Sequence, residues 1–446
     1  TVAIWLKFDK VLFTMSSRIP NGFLRLSVPV LSKIAPRLAV IGSGPGAFYT
    51  AKYIMRQLDS ARIDMFERLP EPFGLVNYGV APDHPEVKNV RNEFRAVAHE
   101  YHDRFRLFAE AEPKLSSLQQ HYDGIVVATG AQDAHRLGLP GSEQVRRGIL
   151  SARDFVSWYN GHPDFAAVTS MLPPAEETEK VVVIGHGNVA LDVARVLSKP
   201  VGEFESTEIS REALQWLSKR PPNSGKVSVV GRRGFPEAKF TNKELREITR
   251  IDGVTARAYE SELIGKQDWH LDRAKKRGLH LIEAMTSRDL PSEGRQILLR
   301  FHSVPKRVIT SEQGGALKGV EVEHPDGSTE IIPCGLLIEA VRFKVIPPLA
   351  EGAADYVTKH LRIDSDTGGM AHDGSGRVRA GLYLAGWAKR GPTGIIAANI
   401  SCSQSTANAV VEDILQWKML HKEGEVVDES DAWMVNELPS APFKAP

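Results

Sequence analysis

Cysteine is almost missing from this chain: Cys334 and Cys402 are the only two in 446 residues, far apart and in no C-x-x-C spacing. A dithiol redox centre is excluded for want of a paired thiol, and a cysteine-ligated iron–sulfur cluster for want of four ligands. No apolar stretch reaches the roughly 20 residues that a membrane-spanning helix needs. Neither sign of charge is in excess, since 56 Lys and Arg stand against 55 Asp and Glu. Attraction to an acidic partner must therefore come from a local patch, and nothing argues for nucleic acid. At 42% hydrophobic and 25% charged the composition is ordinary globular, not disordered or fibrous. The length suits two or three domains.

Acid is also scarce at the start. Residues 1–36 hold Lys7, Lys10, Arg18, Arg25 and Lys33 against Asp9 alone, among serines and spaced apolar residues. Mitochondrial transit segments are built in this way, so 1–36 is read as targeting rather than fold, with Met15 as the candidate initiator.

What the chain has twice is an aliphatic run that breaks into glycines and then reads as a helix. The first is Leu38-Ala39-Val40-Ile41-Gly42-Ser43-Gly44-Pro45-Gly46-Ala47; the second is Val181-Val182-Val183-Ile184-Gly185-His186-Gly187-Asn188-Val189-Ala190-Leu191-Asp192. A buried parallel strand reads as a continuous apolar run. The first glycine makes the tight turn, and the second lets backbone approach a pyrophosphate at a helix N-terminus. One such turn is weak evidence. Two imply two nucleotides and electron transfer between them.

The residues downstream differ. After the first turn, the strand Arg62 to Glu67 ends in a carboxylate able to accept from a ribose, which favours FAD or NAD. After the second, Lys226 to Gly231 ends in Arg232-Arg233, whose guanidinium forks suit a 2′-phosphate and so NADP.

Along the chain, the pattern predicts strand 38–42, helix 45–58, strand 62–67, a proline-punctuated loop over 78–88 and strand 123–128. It then predicts helix 151–160, strand 180–185, helices 188–198 and 210–220, and strand 226–231. Thr241 and Glu244 have capping-box spacing. Segments 296–309 and 316–332 alternate apolar and polar and are expected to form antiparallel hairpins. A late buried strand at 381–387 precedes Gly391-Pro392-Thr393-Gly394, where a helix N-terminus is expected to aim amides at a flavin or phosphate. The fold class is α/β: two dinucleotide-binding Rossmann-like domains, with the NADP domain (131–344) inserted into a split FAD domain (37–130 and 345–446).

Several long blocks carry a resemblance: Gly42-Ser43-Gly44-Pro45, Pro72-Phe73-Gly74-Leu75-Val76, Gly79 to Val90, Gly187 to Arg195, Gly231-Arg232-Arg233-Gly234, Phe240-Thr241 with Lys243 to Glu247, and Gly386-Trp387 with Lys389 to Gly394. The chain resembles the mitochondrial NADPH:adrenodoxin (ferredoxin) oxidoreductases from Arg37 to the last long helix. The resemblance implies FAD contacts at Gly46, Glu67, Leu75, Leu107, Trp387, Gly394, Ile395 and Ile396. It implies NADPH contacts at His186, Gly187, Asn188, Val189, Arg232, Arg233, Glu244 and Gly394. Two positions depart from the family: Gly46-Ala47 stands where Ala-Gly is usual, and Arg342 where glycine is usual.

By the same resemblance, hydride passes from NADPH to the flavin and electrons then leave singly to a small, acidic [2Fe–2S] ferredoxin. The cofactor performs that chemistry, so no side-chain nucleophile is expected. His84 and Asp192 are the candidates for proton handling near the flavin, histidine being the side chain suited to it near neutrality. Arg246 and Arg250, with the cluster Arg273, Lys275, Lys276 and Arg277, are expected to meet the ferredoxin. A monomer in the mitochondrial matrix, with at most peripheral contact to the inner membrane, is expected. Competing readings are the FAD/NADPH module of a glutamate-synthase-like system, which needs cluster cysteines missing here, and a low-turnover redox-sensing flavoprotein scaffold.

Overall fold

The computed structural model describes residues 35–221, 224–288, 294–311, 315–348 and 360–422. The transit-like reading lies, apart from Ala35 and Pro36, outside the described residues.

The first aliphatic run is β1 (Arg37–Ile41), followed by α1 (Pro45–Gln57), β2 (Arg62–Phe66), α2 (Val90–Glu100), β3 (Phe105–Phe108) and β4 (Gly124–Val127). After the short β5 (Asp133–Ala134) comes β6 (Ile149–Ser151) and α3 (Ala152–Tyr159). The second run is β7 (Lys180–Ile184), leading to α4 (Asn188–Ser198), β8 (Ser224–Val230), α5 (Asn242–Ile248), β9 (Val254–Ala258), α6 (Arg273–Thr286) and β10 (Gly294–Arg300). A meander of β11 (Val304–Thr310), β12 (Leu317–Glu323) and β13 (Thr329–Pro333) precedes β14 (Leu336–Glu339) and the short β15 (Phe343–Lys344). The described chain closes with β16 (Arg377–Arg379), β17 (Leu382–Leu384) and α7 (Ala398–Lys422).

Two six-stranded sheets result, in the orders β16-β17-β4-β1-β2-β3 and β6-β14-β7-β8-β10-β9. All neighbours are parallel except β16 on β17. The late strand β17 thus returns to the first sheet, beside β4. Where the chain crosses between sheets, β5 and β15 pair antiparallel, Phe343 with Ala134 and Lys344 with Asp133. Arg342 lies at this crossing, exposed, its carbonyl accepting from the His135 N–H at 2.9 Å. Its φ is not positive, so nothing in the backbone there demands glycine.

One expectation is corrected. Of segment 296–309, the first half is β10, a parallel strand between β8 and β9, and only the second half enters the antiparallel meander β11-β12-β13. Residues Ile297 to Leu299 are all buried, because both faces of β10 are covered, so its composition and not its alternation was the true signal.

On one face of the first sheet Phe48 stacks on Phe94 at 4.9 Å and tilts against Phe105 at 5.9 Å. Ala407, Val410 and Ile414 of α7 join Ala47, Ala51 and Met55 of α1 in the same core. Each such buried Phe contributes about 1.5–3 kcal/mol, and this packing fixes α1 over β1.

Candidate functional site

In both sheets the strand order reverses at the glycine-ended strand, with the next strand on one side and a later, returning strand on the other: β2 and β4 about β1, β8 and β14 about β7. The crevice beyond the strand ends at such a reversal is where open α/β sheets bind ligands. Gly42 (φ +96°) and Gly185 (φ +135°) turn the chain there. A Cβ on Gly42 would lie 2.6 Å from the Ala128 carbonyl oxygen, and one on Gly185 would overlap that of Ala340. Packing against the next strand therefore dictates the first glycine of each turn.

The second glycines answer to something else. Around Gly44 and Gly187 a Cβ would meet nothing within 4 Å, and these residues start α1 and α4 with no side-chain cap, whereas Ser151 and Asp272 cap α3 and α6. Open space in front of uncapped N–H groups is a fitting cradle for a pyrophosphate. Gly46 is different again. Its Cβ would lie 2.7 Å from the Gly386 Cα, so it serves the close crossing of α1 with the β17 turn.

Glu67 is buried, its Oε2 accepting from the Ser43 N–H at 3.1 Å and Oγ–H at 2.6 Å, and its Oε1 from the Leu69 N–H at 2.9 Å. Oε1 keeps acceptor capacity for a ribose hydroxyl. Leu75 starts a short helix to Tyr78, and Leu107 packs partly buried at β3. Trp387 donates from Nε1 to the Thr393 carbonyl at 3.0 Å and tilts against Phe343 at 5.3 Å. Gly394 has φ +78°, Ile395 is 62% exposed and Ile396 packs on the core. The helix expected from Thr393-Gly394 begins only at Ala398, because the positive φ of Gly394 breaks the chain into a turn first.

At the second turn His186 packs against Phe301 at 4.7 Å and Phe240 at 5.9 Å, and its Nε2–H donates to the Val229 carbonyl at 3.1 Å. Burial pushes its pKa down to about 4, so the ring is neutral at physiological pH. Asn188 Oδ1 accepts from the Thr241 N–H at 2.8 Å. The capping box is accordingly rearranged: Thr241 Oγ caps the Lys243 N–H and meets the Glu244 carboxylate, while the backbone donor that Glu244 would have taken goes to Asn188. Val189 is partly buried against the core. Arg232 and Arg233 are exposed, with no carboxylate partner among the described residues.

His84 and Asp192 converge on Arg195. Its guanidinium donates to Asp83 Oδ2 and Oδ1 at 2.8 and 3.0 Å, to Asp192 Oδ1 at 2.8 Å and to Glu247 Oε2 at 3.1 Å; the last oxygen also meets His84 Nε2 at 3.0 Å. Burial raises the Asp192 pKa against the pull of Arg195 and His84. Burial also raises that of Asp83, but Arg195 and Lys199 outweigh it and bring it to about 2. Loop 79–90 is thus clamped to α4 and α5. The clamp continues at Lys88, whose buried Nζ lies 3.2 Å from Glu208 and 3.3 Å from Asn160 Oδ1.

Comparisons with known proteins meet this geometry. Residues 36–254 match the family described as pyridine nucleotide-disulphide oxidoreductase. The Arabidopsis thaliana NADPH:adrenodoxin oxidoreductase, mitochondrial, is 35% identical over 415 residues, covering 85% of this chain and 83% of its own. The Homo sapiens protein of the same name is 36% identical over 406 residues, covering 85% and 79%. The structure of Mycobacterium tuberculosis FprA in complex with NADPH superposes with a TM-score of 0.77 at 31% identity, covering 87% of this chain and 86% of the other. The chain belongs to the NADPH:adrenodoxin oxidoreductase family. It is an oxidoreductase with that family's α/β fold.

In this family member the basic helices lie side by side, Asn242 Nδ2 donating to the Ala274 carbonyl at 2.8 Å. Arg246, Arg250, Arg273, Lys276 and Arg277 are exposed. Lys275 is not free. Its Nζ sits 5.1 Å over the Phe235 ring and donates to the Phe235 and Ala238 carbonyls, and burial lowers its pKa. Among the described residues no cluster of His, Cys, Asp or Glu could hold a metal, and no helix is long and apolar enough to cross a membrane. Sequence reasoning missed Arg195, Asp83 and Glu247. Arg195 alone left a local trace, three residues beyond Asp192 on one helix face.

Proposed function

We propose that this enzyme carries electrons from NADPH through FAD, one at a time, to an acidic [2Fe–2S] ferredoxin of the adrenodoxin kind in the mitochondrial matrix. FAD and NADP are its cofactors; bound FAD supplies the conversion of a two-electron hydride donor into single-electron steps. Residues 37–130 with 345–446 hold the flavin, and 131–344 hold NADP. The open, uncapped turn at Gly44 receives one pyrophosphate and that at Gly187 the other. Glu67 accepts from the flavin nucleotide's ribose, and Arg232 and Arg233 take the 2′-phosphate. His84 and Asp192, joined by Arg195, hold a proton near the flavin. The mitochondrial relatives support the compartment and the ferredoxin partner.

The observation that carries this reading is the contrast beyond two like turns: a buried carboxylate after β2, two exposed guanidiniums after β8. The test is spectroscopic. Purified protein should be yellow, bleach at the flavin band on adding NADPH far faster than on adding NADH, and reduce cytochrome c only when ferredoxin is present. Colourless protein, or equal use of NADH, would defeat the proposal.

A further inference from the structure

The long side chains of Arg232 and Arg233 are aimed by the turn that carries them, and that turn is held by the residues that follow β10. His302 N–H donates to the Arg233 carbonyl at 3.2 Å and Ser303 N–H to the Gly231 carbonyl at 3.0 Å. Consecutive N–H groups of an extended strand point to opposite sides, so both reach one turn only because the chain bends between them. The bend is His302, at φ +49°, one of three non-glycine residues with positive φ among the described residues. Its ring lies against the turn: a Cβ on Gly234 would come within 2.7 Å of His302 Nε2. That nitrogen is buried and meets no hydrogen-bond partner among the described residues. A strained backbone and an unpaired polar atom in one residue persist only where the surroundings hold them.

The surroundings are firm. Phe301 N–H donates to Glu262 Oε2 at 2.7 Å, and Arg300 Nε to Glu262 Oε1 at 2.6 Å. Ser303 Oγ donates to the Phe301 carbonyl at 3.0 Å. The Phe301 ring also contacts His186 in the glycine turn. One segment therefore touches both the turn before α4 and the turn bearing the arginines.

We propose that Phe301, His302 and Ser303 form a bracket, with His302 as a positioning residue, that pre-organises Arg232 and Arg233 and so sets the preference for a 2′-phosphorylated nicotinamide nucleotide over its unphosphorylated form. The proposal rests on the reading of that arginine pair as the phosphate contacts. A turn held before the ligand arrives spares the ordering cost that a loose one would incur.

The experiment is steady-state kinetics of the flavin-loaded enzyme with NADPH and with NADH. His302→Val, whose branched side chain resists the left-handed backbone, should raise KM for NADPH about tenfold with kcat and the NADH parameters within about twofold. His302→Asn, which tolerates that backbone, should restore most of the preference. If His302→Val does not fold, Gly234→Ala presses on the same ring and is read identically. Titration with 2′,5′-ADP against 5′-AMP should show the same selective loss. A folded variant that keeps its preference, or that loses affinity for both nucleotides equally, would overturn the bracket. Arg232→Ala/Arg233→Ala separates the two claims. If that double variant keeps the preference, the reading of the pair falls; if it loses the preference while His302→Val keeps it, only the bracket does.

Discussion

Arg195 grips Asp83 with two parallel hydrogen bonds, Nε to Oδ2 at 2.8 Å and Nη2 to Oδ1 at 3.0 Å, both side chains being almost wholly buried. Asp83 belongs to the loop that follows the first glycine unit, Arg195 to the helix that follows the second. Removing one partner of such a pair leaves an uncompensated buried charge, at a cost of about 3–5 kcal/mol. Arg195→Leu should therefore unfold at markedly lower denaturant, and Arg195→Leu/Asp83→Leu should cost less than the two single changes summed. Additive losses in the double-mutant cycle would show that the pair is not coupled.

Stability should fall with acid in two steps. Burial lowers His186 and His162 to about 4 from an ordinary 6.5. Both are depressed, so their contribution is full above pH 6.5 and is lost as pH falls through 4, at about 1.4 kcal/mol per pH unit per group. Asp83, held at about 2 against 3.8 when unperturbed, adds a second loss as pH falls from about 4 through 2. Thermal midpoints recorded from pH 8 to 4 should decline below 6.5, and His162→Phe should flatten that first slope. A level profile down to pH 4 would contradict it.

The glycines of each turn should separate under substitution. Gly42→Ala and Gly185→Ala, where the added carbon meets backbone carbonyls, should destabilise by about 1–3 kcal/mol. Gly46→Ala, pressed against Gly386, should do likewise and shed flavin. By contrast, Gly44→Ala and Gly187→Ala have room, and should melt near the parent temperature yet bind their nucleotides weakly. Differential scanning fluorimetry, beside the flavin-to-protein absorbance ratio for the first turn and the KM for NADPH for the second, distinguishes the two classes.

Among the basic helices, Arg246→Glu should weaken ferredoxin-dependent turnover with a defect that varies with ionic strength, while reduction of a small artificial acceptor stays normal. Lys275→Glu should instead lower stability, because that ammonium caps carbonyls over Phe235 and does not face solvent freely. Salt-independent loss with both acceptors for Arg246→Glu would remove it from the docking face.

How much was legible varies with the range of the interaction. The two glycine turns, the strands leading to them and the arginine pair were readable because each depends on residues adjacent in the chain. The start of α7 was not, since the positive φ at Gly394 that delays it to Ala398 left no local sign of which way the turn would go. Nor was the inward turn of Lys275, which looks like its basic neighbours until Phe235 and Ala238 are placed beneath it.

By itself, then, the order of residues determined the repeated nucleotide-turn grammar and the opposite charges that follow its two copies, since hydrophobic runs, glycines and strand-end side chains act over a few positions. Only the folded chain decided that Gly46 serves packing against Gly386, that Arg195 joins His84 to Asp192, and that His302 underlies the arginine turn. Those relations join segments from distant parts of the sequence, and burial and shared hydrogen bonds, which no local pattern encodes, are what bring them together.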